Sequence, residues 1–145
     1  MNLSHSVSAY RQVAVQTADP GRLVLMLYDG AIVFLERALQ AFGQEDFVES
    51  AGVVHYNISR ARDILVELQT CLNREQGGEF ADTMWRLYDY LNDLLTRGNC
   101  QKDPAAVHEV LFRVRVLRDA WFEMLQGETV TDPNMGTAPA LSAVG

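Results

Sequence analysis

The chain has 145 residues, 48% hydrophobic and 21% charged, which suits one soluble domain with a core of its own. Its 12 Lys plus Arg against 19 Asp plus Glu leave a net charge of −7, so the long-range field repels phosphate backbones and anionic lipid and argues against a nucleic-acid role. No apolar run approaches the ~20 residues of a membrane span, and the opening "MNLSHSVSAYRQ" lacks the basic start and apolar middle of a secretion signal; a cytoplasmic location without stable membrane insertion is expected.

Residues 1–18 read as a leader. Asp19 before Pro20 is an N-cap with proline at the first helical position, and Gly43 after Phe42 suits a left-handed stop, so the first helix is expected over 20–42. From Phe47, the residues Ala51, Val54, Ile58, Ala61, Leu65, Leu68 and Leu72 alternate steps of four and three, the seam of a second helix in a bundle. Gly77 and Gly78 supply a turn before Phe80, Met84, Leu87, Leu91 and Leu94 restart the pattern, and this third helix is expected to end near Gly98 and Asn99. Asp103 and Pro104 repeat the cap-plus-proline start. Val107, Val110, Val114, Leu117, Trp121 and Met124 then carry a fourth helix to Gly127. Residues 128–145 are small and polar with two prolines and no period, and are expected to be a disordered tail. Short connections between four helices imply an all-α, antiparallel up-down four-helix bundle over 19–127.

On a wheel of ~100° per residue, the apolar residues of the first helix spread over about 200°, nearly twice one packing stripe. Two readings account for this surplus. Either the helix is covered on both sides within its own bundle, or part of the arc is a groove for a partner helix. The tripeptide Leu-Tyr-Asp occurs at Leu27–Asp29 and again at Leu87–Asp89, so parallel first and third helices would bring Tyr28 and Tyr88 to one level; chance recurrence of a common tripeptide is the alternative. Trp85 and Tyr90 fall just beyond the edges of the third helix's apolar face. Leu27, Tyr28, Trp85, Tyr88 and Tyr90 are therefore the candidate anchors of a partner-binding rim made by the first and third helices.

Catalytic chemistry finds little footing. A bundle di-iron site needs Glu-x-x-His, but Gly52 and Ala105 stand three positions before His55 and His108, so no metal site is expected. His55 in "VVHYNISR" is the one candidate for a phosphoacceptor, and the residues expected around such a histidine are missing. Cys71 and Cys100 lack CxxC or Cys/His spacing and read as reduced thiols. With no Gly-rich phosphate loop or Ser-His-Asp arrangement, the chain is expected to be neither an enzyme nor a cofactor protein.

The stretch "AYRQVAVQTADPGRLVLMLYDGA" resembles the start of the flagellin-export chaperone family (FliS), with its leader tyrosine, Thr-Ala-x-Pro and Leu-x-x-x-Leu-Tyr-Asp-Gly-Ala. "REQGGEFADTMWRLYDYL" is similar to the family's Gly-Gly-Glu turn and Leu-Tyr-Asp-Tyr helix, and the match runs from about Tyr10 to Met124, departing at Gly98, where the family usually has alanine. The resemblance implies a chaperone that binds the C-terminal disordered segment of flagellin, prevents premature polymerisation, and delivers it to the gate component FlhA of the flagellar type III export apparatus. It further implies that the leader folds back over the client groove, with Tyr10 and Val13 among the contacts.

Overall fold

The computed structural model describes residues 20–130, and within them every element is helical. The elements are α1 (Pro20–Phe42), α2 (Phe47–Cys71), α3 (Arg74–Gln101) and α4 (Pro104–Val130). Asp19 lies outside the described residues. α1 stops where expected, but Gly43 is not left-handed: the amides of Gly43 and Gln44 close tight turns onto the carbonyls of Gln40 and Ala41. Asp46 caps α2, its carboxylate accepting the Glu49 amide at 3.1 Å.

α3 begins earlier than expected. Asn73 accepts the Gln76 amide and starts one helical turn ahead of the glycines. The helix then breaks at Gly78 (φ 55°, ψ −131°), a conformation that any side chain would strain. At its other end α3 runs past Gly98 to Gln101 and is stopped by Lys102 in the left-handed region, with the Asp103 amide returning to the Gly98 carbonyl. Gly98 serves a close approach instead: a Cβ there would meet Ala106 and Val107 of α4 at 3.2–3.3 Å. α4 likewise passes through Gly127 to Val130, so the expected boundary at 127 is three residues early; the remainder of the expected tail, from 131, lies outside the described residues.

Each helix packs on its neighbours in sequence, and α1 also packs on α4, which closes a ring of four. The antiparallel sense shows in the cross-links. Trp121 donates to the Gly21 carbonyl at 2.7 Å, Arg118 pairs with Asp29 and Arg115 with Glu36, each at 2.8 Å, and Gln69 donates to Asp89 at 2.8 Å. α1 and α3 therefore run parallel across the diagonal, and the hydroxyls of Tyr28 and Tyr88 meet between them.

The wide apolar arc of α1 is spent inside the bundle. One flank lies against α2, where Gly30 leaves just enough room for Ile64, and the other lies along α4 beneath the Asp29 and Glu36 ion pairs. Leu23, Leu25, Phe34 and Ala41 are all buried, as expected where the helix is covered on both sides, while Val24 and Tyr28 of the same arc border an opening at one end of the bundle. A regularity spans the ring. Each buried residue of α3 (Ala81, Tyr88, Leu91, Leu94, Leu95 and Gly98) stands at the Tyr28–Tyr88 spacing from a buried residue of α1 (Gly21, Tyr28, Ala31, Phe34, Leu35 and Ala38). Leu65 and Leu68 of α2 and Leu72 just past its end stand to Val114, Leu117 and Trp121 of α4 at another constant spacing, so the two helical hairpins are pseudo-equivalent about the bundle axis.

Candidate functional site

The bundle does not close equally well along its length. At the end where α1 and α3 begin and α2 and α4 finish, an apolar cleft of about 190 Å³ remains. Its lining follows the pseudo-equivalence, with Val24 matched by Met84, Leu68 by Leu117, and Leu72 by Trp121. Tyr28 and Tyr88 form the floor. Phe80, Ala120 and Met124 stand around the mouth, between the start of α3 and the end of α4, and the Cys71 side chain is part of the wall. The cleft persists because small side chains stand in its wall: Cys71 at the end of α2 and its α4 counterpart Ala120 are too short to fill the space between them.

Every polar atom at the floor and wall just named is already committed. The Tyr28 and Tyr88 hydroxyls bond each other at 2.5 Å, and the Trp121 indole N–H is taken by the Gly21 carbonyl. Burial pushes the Tyr28 phenol up to about 12, the bond from Tyr88 offsetting this in part. Burial also raises Tyr88, reinforced by Tyr28 beside it, so both phenols are neutral across the physiological range. The cleft thus offers mainly carbon surface, and it is suited to receive an apolar side chain rather than to move protons. Among the described residues, no three His, Cys, Asp or Glu side chains gather as metal ligands.

The expected anchors are distributed differently from a rim. α1 and α3 stand on a diagonal and share no open edge. Leu27, Tyr28 and Tyr88 are 6%, 1% and 2% exposed, which makes them interior residues rather than rim residues, because the four-helix ring encloses the diagonal. Trp85 is half-buried on α3 with Arg74 stacked over its ring, and Tyr90 is exposed on the α3–α4 surface, donating to Glu109 beneath Arg113; neither lines the cleft. Tyr10 and Val13 lie outside the described residues. Leu72, Met84, Leu117 and Met124 belong to core stripes by periodicity, but these stripes stop short of filling one end and all four residues line the cleft. His55 shares its Nδ1 with Asn99 at 2.8 Å, and Lys102 donates to Asn99, an arrangement that ties α2 to the end of α3. Outside the cleft, Val48 and Val66 on α2 and Phe112 and Val116 on α4 are exposed apolar residues.

A small helical bundle whose interior opens into an unfilled apolar cleft, with further apolar residues on its surface, presents carbon surface of the kind that receives apolar side chains. The family model described as "Flagellar protein FliS" matches residues 3–128. The flagellar secretion chaperone FliS of Bacillus subtilis is 35% identical over 128 residues, covering 88% of this chain and 92% of that protein. The proteins of the same name from Salmonella typhimurium and Escherichia coli are 34% and 32% identical, covering 83% and 92% of this chain and 90% and 99% of their own lengths. The chain belongs to the FliS family of flagellar secretion chaperones. No helix among the described residues is long and apolar enough to cross a membrane.

Proposed function

We propose that this chaperone binds the C-terminal segment of flagellin in the bacterial cytoplasm, keeps it from polymerising, and presents it to the FlhA component of the export gate. The observation that carries this reading is the cleft, which is built of carbon, open at one end of the bundle, and found in a chain of a flagellar chaperone family. A segment destined for a filament core exposes apolar stripes while it is alone. The cleft accepts one bulky side chain of such a stripe, and the exposed residues on α2 and α4 offer further contacts to a client that wraps around the bundle. Ordering a disordered client costs on the order of 2–5 kcal/mol, which keeps the complex releasable without nucleotide hydrolysis.

α1 starts at Pro20, beside the Gly21 carbonyl held by Trp121, itself a residue of the cleft wall. In this reading, Tyr10 and Val13 compete with the client there. Free chaperone is then self-capped in part, and removing residues 1–18 tightens flagellin binding by the reciprocal of the fraction of open molecules. The function is tested by capture of purified flagellin, intact and lacking its C-terminal end. Stoichiometric capture of the intact protein alone is expected. Equal capture of both, or of neither, overturns the reading.

A further inference from the structure

The short piece between Leu72 and Phe80 has a construction that the bundle itself does not require. Leu72 and Phe80 both line the cleft, and between them the chain makes one helical turn, Arg74–Gly77, before breaking at Gly78. Gly78 adopts a backbone geometry open to glycine alone, and a Cβ there would meet nothing, so its role is conformational and not one of packing. The turn is fastened across this break. The Arg74 guanidinium reaches over Gly78 to the Asp82 carboxylate at 3.0 Å and stacks on the Trp85 ring at 4.8 Å. Trp85 in turn is held at its carbonyl by Gln69 of α2. Residues on the near side of the hinge are thus tied to residues on the far side by one side chain.

We propose that Arg74–Gly78 is a strap joining two residues of the cleft wall, Leu72 and Phe80, hinged at Gly78 and latched by Arg74, and that Arg74 is a positioning residue that sets how far the cleft opens. With the latch made, Phe80 is held at the mouth and Leu72 against the wall. With the latch broken, the turn swings about Gly78 and the cleft admits a larger group than its resting volume allows. The latch is exposed, with the Arg74 and Asp82 side chains 53% and 41% accessible. An exposed ion pair and one cation–π contact hold a segment only weakly, so the strap opens without disturbing the fold. Arginine suits the task because its planar group engages a carboxylate along its edge and an aromatic ring on its face at once, which a lysine ammonium does not. The benefit to the client follows from the Proposed function, but the strap itself is defined without it.

Cys71, the last residue of α2, forms part of the cleft wall and reports on opening. The test is alkylation of Cys71 by a maleimide in the full chain carrying Cys100→Ser, which removes the exposed second thiol. Arg74→Ala is expected to speed labelling by about three- to tenfold with unchanged helical content, Asp82→Asn by less, and Arg74→Lys by an intermediate amount. Low concentrations of urea separate the modes of opening. An acceleration independent of urea supports the strap, whereas one that follows global unfolding overturns it. Unchanged labelling in both Arg74→Ala and Asp82→Asn also overturns it. Flagellin capture is measured alongside: faster labelling in the variants with no capture by the parent chain removes the flagellin reading and leaves the strap standing, and capture with unchanged labelling does the reverse.

Discussion

α1 and the seam between α3 and α4 make opposite use of apolar residues. α1 carries an unbroken run from Leu23 to Tyr28, yet it exposes little of it, because α2 and α4 close on both of its flanks. The α3–α4 seam carries an ordinary stripe on each helix and nevertheless leaves a cleft. Only Val24 and Tyr28 of that run reach the cleft, so surplus hydrophobicity along one helix does not by itself locate an interaction surface. What decides is whether facing residues are large enough to meet, and Ala120 and Cys71 are not.

The sharpest way to break this contrast is to remove the residue shared by both regions. Trp121 fastens α4 to the start of α1 and also lines the cleft. Trp121→Ala is expected to cost about 3–5 kcal/mol in urea unfolding, and to lose client binding only to the extent that the protein unfolds. A folded variant unable to bind would make Trp121 a client contact first and a core residue second.

Next in size is the tyrosine pair. In the folded chain Tyr28 holds its proton up to about 12, against about 10 when unfolded, and Tyr88 is raised as well. Above pH 10 the unfolded chain binds fewer protons than the folded one, so stability falls as pH rises. For Tyr28 this loss falls between pH 10 and about 12. Below pH 10 this contribution is fully present. Denaturant unfolding as a function of pH should show the decline, and the Tyr28→Phe/Tyr88→Phe variant should lose that part of it.

A smaller and more selective effect comes from plugging the mouth. Ala120 is exposed and lines the cleft, so Ala120→Leu extends into it without displacing core. Stability should change by no more than about 0.5 kcal/mol, while affinity for the flagellin segment, measured by titration calorimetry, should fall at least about tenfold, equivalent to about 1.4 kcal/mol. Smallest of all is Tyr90→Ala. Its ring lies on the surface beneath Arg113 and outside the cleft, so melting is expected to stay unchanged and client affinity to shift by less than about threefold. A larger loss would place a second contact on the α3–α4 surface.

The fold was legible where the signal is local. Proline at 20 and 104 marks two helix starts, and the four-three alternation from Phe47 gives α2 almost to the residue. Glycine was the less dependable sign. Gly78 breaks a helix already begun at Arg74, Gly98 lies inside α3 where α4 comes close, and Gly127 lies inside α4, because a glycine is compatible with a stop, a kink or a tight contact and only the packing selects among them. The site was legible in part. The repeated Leu-Tyr-Asp brought Tyr28 and Tyr88 together as expected, since a repeat in sequence fixes level in parallel helices. That these residues form a buried floor, and that the opening lies on the other side of α3, depends on volumes across a seam, which periodicity does not encode.

The tyrosine pair also has a meaning for ancestry and design. Where two equivalent segments face each other across a symmetry axis, each residue on that axis meets its own kind. Two carboxylates or two ammonium groups would repel there, and two leucines would record nothing about alignment. A hydroxyl is both donor and acceptor, so tyrosine is its own complement. A shift of either hairpin by one turn would strand two buried hydroxyls, which makes this single bond a keyed joint. An engineer assembling such a bundle from two copies of one hairpin would need that joint and no other polar residue at its centre.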